Sequence, residues 1–316
     1  MQPRTIALVG GTGFVGRALG ERLTERGKAL RVLTRRLTNA SSLLIYPMMD
    51  VRVGNSLDVE FLSRAFDGVD AVVNLAGILH ERGGQTFQSV HVDLPRRLAN
   101  ACRAAGVRRM VHMSALGAAE NAPSEYLRSK ALGEKAVVQG AGDGIGVTIV
   151  RPSVIFGRHD AFVNRFAAMA RVFPVIPLPG AEARFQPIWV EDVVRVIALA
   201  LDDGGTAGKT YNLCGPKPYA LREIVELAAL YSGHPRRVIA VPDWAARLQA
   251  AVLERLPGPL LTRDNMRSME VPNVCDGPFP ERFGFEPSAL ESVAPQYLAD
   301  ASPRGRYDRY RFRAGR

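Results

Sequence analysis

Residues 5–26 read TIALVGGTGFVGRALGERLTER, and this opening constrains the fold more than any other stretch of the chain. Residues 5–9 are β-branched or apolar, as a buried strand requires. Gly10, Gly13 and Gly16 follow at three-residue spacing, and residues 17–26 alternate as an amphipathic helix does. Glycine permits a tight turn, lets backbone approach a ligand and brings helix against strand. The first turn of such a helix offers unpaired N–H groups and the positive end of the helix dipole. A strand, a glycine turn and a helix in this order therefore predict a cradle for a dinucleotide pyrophosphate, formed by Gly10, Thr12, Gly13, Phe14, Val15 and Gly16.

The pattern continues. Strands are expected at 29–34, 51–53, 71–75, 108–113 and 147–150, alternating with helices at 58–66, 87–105 and 124–139. This is the α/β class, a doubly wound parallel sheet with helices on both faces. After Pro152 the texture changes: Pro174, Pro177, Pro179 and Pro187 interrupt the alternation. A helix at 192–201 and a strand at 210–213 are expected to return to the sheet, and helices at 221–231 and 243–256 to belong to a smaller lobe. The expected division is a nucleotide-binding domain over 1–155 with 188–213, a discontinuous cover lobe over 156–187 and 214–300, and a basic tail over 301–316. Phe162, Phe166 and Met169, at helical spacing, read as packing residues.

Composition narrows the class. A 47% hydrophobic content over 316 residues supplies a large core without staples, and no apolar run is long enough for a membrane-spanning helix. With the first strand expected at about residue 5, no signal peptide is expected. Three scattered cysteines, Cys102, Cys214 and Cys275, fit a reducing compartment and neither a disulfide framework nor a zinc site. The five histidines make no ligand spacing, so no metal is expected. The expected location is the cytoplasm, the alternative being a peripheral position at the inner face of a membrane. Of the net charge of +10, half comes from the last 13 residues, where six arginines face one aspartate. Tyr307, Tyr310 and Phe312 interleave them, but the segment reads first as a disordered, solubilising tail. The remaining body is only mildly basic, and nucleic acid is not an expected partner.

Three residues then carry chemistry. Ser114 falls at the carboxyl end of the fifth strand, and Tyr126 and Lys130 lie four apart on the helix that follows, on one face. Ligands of open parallel sheets bind beyond the carboxyl ends of the strands. An ammonium beside a phenol stabilises the phenolate and lowers its pKa. Tyr126 is thus expected to exchange a proton with a substrate oxygen during hydride transfer, tuned by Lys130, while Ser114 orients that oxygen. His80 and His91 read as ordinary polar residues.

Together GGTGFVG, NLAG, the Ser114 strand end, YLRSK and RPSVIFG resemble the short-chain dehydrogenase/reductase superfamily in its extended or atypical branch, which includes the NAD-dependent epimerase/dehydratase family. The stretches IVRPSVIFGRHDAFVNRFAAMARVFPVIPLPG, RFQPIWVEDVV, PGPLLTRDNMRSM and FGFEPSALESVAPQYL are similar to the dehydrogenase-like accessory subunit of respiratory complex I and its bacterial relatives. The likeness spans about residues 4–298. It implies a Rossmann-type sheet. It also implies Gly10, Thr12, Gly13 and Gly16 at the pyrophosphate, and Asn74, Ala76 and Gly77 along the adenosine half. Tyr126 and Lys130 would lie at the nicotinamide ribose, and Pro152 and Ser153 at the nicotinamide border.

Two departures from that pattern are informative. The second strand ends Thr34-Arg35-Arg36, with no acid for a ribose 2′-hydroxyl; Arg35 and Arg36 suit a 2′-phosphate, which favours NADP(H) over NAD(H). Asn55 stands where relatives often carry an aspartate beside the adenine, and its carbonyl oxygen can still accept from an amino group. Three functions fit. The first is an oxidoreductase moving hydride to or from a carbonyl or alcohol. The second is a non-catalytic NADPH-binding structural or assembly subunit, partnered with a membrane-associated respiratory complex. The third is a sugar-nucleotide epimerase or dehydratase. The intact Ser114, Tyr126 and Lys130 favour an enzyme, and the missing acid weighs against an NAD-dependent epimerase. The small-molecule substrate and the oligomeric state stay open.

Overall fold

The computed structural model describes residues 2–242, 245 and 262–299. The expected helix at 243–256 and the arginine tail lie outside those residues, save for Ala245. The chain divides into two compact units.

The first unit comprises 1–152, 191–213 and 280–283. Its strands are β1 (Thr5–Val9), β2 (Ala29–Thr34), β3 (Met49–Val53), β4 (Ala71–Asn74), β5 (Arg109–Met113), β6 (Gly146–Pro152) and β7 (Thr210–Leu213). They form one seven-stranded sheet in the order β7-β6-β5-β4-β1-β2-β3, every pair parallel. The expected doubly wound α/β sheet is therefore present. The strand order reverses between β1 and β4, which leaves a crevice beyond their carboxyl ends. Helices α1 (Phe14–Glu25), α2 (Val59–Phe66), α3 (Leu94–Ala104) and α4 (Glu125–Ala141) provide the β1–β2, β3–β4, β4–β5 and β5–β6 crossovers. Asp58 caps α2 by accepting from the Glu60 and Phe61 amides, and Ser124 caps α4 by accepting from Leu127 N. Leu62, Phe66, Leu98, Cys102, Met110 and Val137 pack into one core cluster of this unit. Fully burying a side chain such as Phe66 stabilises by roughly 1.5–3 kcal/mol.

The expected single helix over 87–105 is two elements. Residues Gln88–Asp93 wind as a π-helical turn, and α3 begins only at Leu94. Pro95 is the reason on its carboxyl side, since it has no N–H to continue the ladder. Packing is the reason on the other. Gly133 of α4 sits so close to this turn that a β-carbon there would collide with the His91 carbonyl oxygen.

Arg109 on β5 is buried without a carboxylate contact among its hydrogen bonds. Its guanidinium donates to the carbonyls of Ala200 and Gly146 and to the hydroxyls of Thr148 and Thr206, so its donors are satisfied by neutral oxygens.

The second unit comprises 153–190, 214–279 and the residues from 284 onward. It contains helices Val163–Val172, Leu221–Tyr231 and Leu290–Leu298, with three two-stranded ribbons. Phe162 and Phe166 are half-buried against clusters built on Val163, Tyr219, Ile224 and Leu290, and Met169 packs on Ile176 and Leu178. Cys214 and Cys275 form a disulfide, which corrects the expectation of three unpaired thiols. Their separation of 61 residues hides the pairing from any spacing rule. Gln186 shows how the fold closes that gap: its side-chain amide donates to Gly215 O and accepts from Cys275 N. Cys102 stays free, and burial pushes its thiol up to about pKa 12.

Candidate active site

The glycine turn is as tight as its sequence implies. Gly10 adopts a φ of +78°, and a β-carbon there would come within 2.8 Å of the Ala76 backbone. A β-carbon on Gly16 would lie 2.5 Å from Gly10 O and Gly11 Cα. Gly13 donates to Gly10 O and serves as the N-cap of α1 without a side-chain bond, so the first amides of α1 have no capping side chain. The Arg17 guanidinium holds the Thr12 carbonyl at 3.0 Å. Val15 turns its side chain into the core, and what it offers a ligand is backbone. These residues fit a pyrophosphate through amides and a dipole.

Arg35 and Arg36 stand exposed at the end of β2, and Arg35 donates to Gln85 Oε1 at 3.4 Å. Asn55 is exposed, but its Oδ1 already accepts from Leu57 N at 3.0 Å. Asn74 does not face outward with Ala76 and Gly77. It is fully buried, its Oδ1 accepts from Ala76 N and its Nδ2 donates to His112 Nδ1. It shapes the loop from beneath, and Gly77 is the exposed residue.

Lys130 reaches this loop from α4. A β-carbon on Gly77 would lie 3.9 Å from its Nζ, and the ammonium donates to Met113 O at 2.8 Å. The next residue, Ser114, is 4% exposed, and its Oγ is buried without a hydrogen-bond partner in the structure. Gly77, Lys130 and the Ser114 strand end are thus brought together. Burial pushes the Lys130 pKa down to about 8, against the attraction of Glu134. Glu134 is itself clamped by Arg151 through two hydrogen bonds.

Tyr126 departs from expectation. Part of its surface remains exposed, yet protein atoms crowd it, and desolvation pushes its pKa up to about 12. The expected depression by a neighbouring ammonium is not found; burial is the cause of the shift, because it disfavours the charged phenolate. Pro152 closes β6 and its carbonyl accepts from Leu116 N. Ser153 opens the second unit, where its Oγ donates to Asn273 Oδ1 at 2.6 Å.

Two histidines were not visible as site residues. His91 is buried between the 75–78 loop and α4, accepting from Ile78 N and bonding Ser129. His112 lies under Asn74, its Nε2 buried without a partner. A π-helical turn frequently accompanies functional sites, but nothing in the spacing announces one here.

The model of the NAD dependent epimerase/dehydratase family matches residues 6–214, which contain the glycine turn, Gly77, Ser114, Tyr126 and Lys130. The chain belongs to that family. As a family member it is an NAD(P)-binding protein of Rossmann type. It is 33% identical over 300 residues to the mitochondrial NADH dehydrogenase [ubiquinone] 1 alpha subcomplex subunit 9 of Rattus norvegicus, covering 89% of this chain and 76% of that one. It is 31% identical over 243 residues to a ceramide reductase of Caulobacter vibrioides, covering 75% and 74% of the two chains. Its fold matches that of an Escherichia coli NADPH-dependent quinone oxidoreductase complexed with NADPH, at a TM-score of 0.73 and 20% identity, over 92% of this chain and 99% of that one. Among the described residues no helix is long and apolar enough to cross a membrane.

Proposed function

We propose that the protein is an NADPH-dependent oxidoreductase that works as a carbonyl reductase. One observation carries this reading. The buried Ser114 Oγ lacks a partner and follows Met113, whose carbonyl holds Lys130, and Lys130 lies one helical turn from Tyr126 on α4. An unpaired buried hydroxyl costs about 1–3 kcal/mol, and a substrate carbonyl oxygen would relieve it. When bound, the reduced nicotinamide supplies the hydride. Tyr126 is protonated at neutral pH and suits the donor role, passing its phenolic proton to the oxygen as it becomes an alkoxide. Lys130, charged below about pH 8, then steadies the phenolate left behind. The absence of an acid after β2 and the exposure of Arg35 and Arg36 support the 2′-phosphorylated coenzyme. A lipid carbonyl is the first substrate class to try, since the Caulobacter relative is a ceramide reductase.

The rat relative favours a second reading, a coenzyme-holding subunit of a respiratory assembly that performs no turnover. NADPH oxidation with a panel of lipid ketones separates the two. Tyr126→Phe is expected to lower turnover by about 100-fold or more while NADPH still binds. Activity undiminished by that change removes the proton-transfer role, and retained NADPH with no carbonyl consumed favours the subunit. Thermal shift in matched NADPH and NADH tests the coenzyme: equal stabilisation would refute the phosphate assignment.

A further inference from the structure

The chemistry above makes no use of His91, yet this ring joins the parts of the site. It is 2% exposed. The Ile78 N–H can only donate, so His91 Nε2 accepts it, at 3.0 Å, and the neutral ring carries its proton on Nδ1. That N–H faces Ser129 Oγ at 2.8 Å, and the serine hydroxyl donates onward to Tyr126 O at 2.7 Å. Burial, reinforced by the charge of Lys130, pushes the His91 pKa down to about 3. With one nitrogen accepting and the other donating, the ring is not placed to act as a base. Phe87 stacks on it and Tyr126 meets it edge-on, with centroids at 5.4 and 5.6 Å.

The bonds on the loop explain what this bridge does. Leu75 N donates to Val9 O, Ala76 N to Asn74 Oδ1 and Ile78 N to His91 Nε2. The amides on both sides of Gly77 are thereby drawn inward, and Gly77 is left exposed. A β-carbon on Gly77 would lie 3.6 Å from His91 Nε2 as well as 3.9 Å from Lys130 Nζ. The π-helical turn places His91 in this gap, and Gly133 lets α4 close onto the turn.

We infer that His91 is a positioning residue for the coenzyme: a neutral bridge that fixes the Gly77 loop against the first turns of α4, so that Gly77, Tyr126 and Lys130 present one surface. It touches neither hydride donor nor substrate and acts through Ile78 and Ser129. This rests on the NADPH-dependent reading above.

Three substitutions separate the two bonds. His91→Phe keeps the ring contacts and removes both hydrogen bonds. His91→Gln can accept from Ile78 N where Nε2 does, and His91→Asn can reach Ser129 where Nδ1 does. Each variant and the wild type are titrated with NADPH, reading affinity, the fluorescence enhancement of the bound nicotinamide at saturation, and melting temperature. His91→Phe is expected to weaken NADPH about tenfold and to lose the enhancement, the size of one orphaned buried amide. His91→Gln is expected to restore the enhancement and return to within about threefold of wild type, while His91→Asn stays weak. Wild-type affinity and enhancement in His91→Phe would overturn the inference. So would affinities that merely follow the melting temperatures across the series, and this comparison stands even where one variant folds poorly. Failure of the wild type itself to bind NADPH would strike the proposed function instead.

Discussion

The two units hold themselves together differently. The first repeats one device, a buried parallel strand followed by a helix, so its geometry comes from backbone periodicity and its site residues sit where strands end. The second has three short ribbons and relies on particular side chains that bond backbone, some of it far along the chain. Asn273 accepts from Ser153 Oγ and Val154 N, 120 and 119 residues away. Gln186 ties Gly215 to Cys275, and Asp160 accepts from the Gly157, Phe162 and Asn164 amides. Regular ladders spread stability over many similar bonds, whereas an irregular unit concentrates it in a few amides and carboxylates.

The contrast breaks most directly at Gly16. Gly16→Val forces atoms into Gly10 and Gly11 backbone, and NADPH affinity measured by fluorescence titration is expected to fall by about 100-fold or more, some 3 kcal/mol. A variant that still binds normally would show that the turn is not set by close backbone approach.

Lys130 sharpens the comparison inside the first unit. Its folded pKa of about 8 lies below that of an unfolded lysine, so between pH 8 and about 10.5 the unfolded chain binds more protons and stability rises with pH. Below pH 8 the full burial penalty applies. Lys130→Met is therefore expected to melt above wild type at pH 7, by at most roughly 3 kcal/mol less the lost bond to Met113, with the gap closing by pH 10. A gap independent of pH between 7 and 10 would refute the assigned pKa.

In the second unit one amide is the counterpart. Asn273→Ala leaves the Val154 amide and the Ser153 hydroxyl without their acceptor, and denaturant unfolding is expected to show a loss of about 1–3 kcal/mol. A loss below measurement would mean that the ribbons alone hold this unit. The smallest effect belongs to Arg35, which is solvent-screened: Arg35→Ala is expected to cut the preference for NADPH over NADH by about fivefold or less.

The same division governs what could be read from the sequence. Strand and helix periodicity exposes β1, the glycine turn and α1, and four-residue spacing puts Tyr126 and Lys130 on one helix face. The strand end places Ser114. What escaped depends on contacts far along the chain. Asn74 turns inward only because His112 waits on the neighbouring strand, and His91 matters only because α4 returns against it. The Cys214–Cys275 pair is 61 residues apart in sequence, and Gln186, far from both, bonds the backbone beside each. The Tyr126 pKa is raised by burial, and desolvation, unlike the four-residue spacing to Lys130, is not legible in a sequence.

Gly133 carries a last consequence. It has no functional group and touches no expected ligand, yet the clearance opposite the His91 carbonyl admits a hydrogen atom and nothing larger. Evolution or engineering of α4 is therefore pinned at a residue that a search for reactive side chains would pass over. Even alanine there would wedge the helix outward and carry the phenol and the ammonium away from their stations without altering either one.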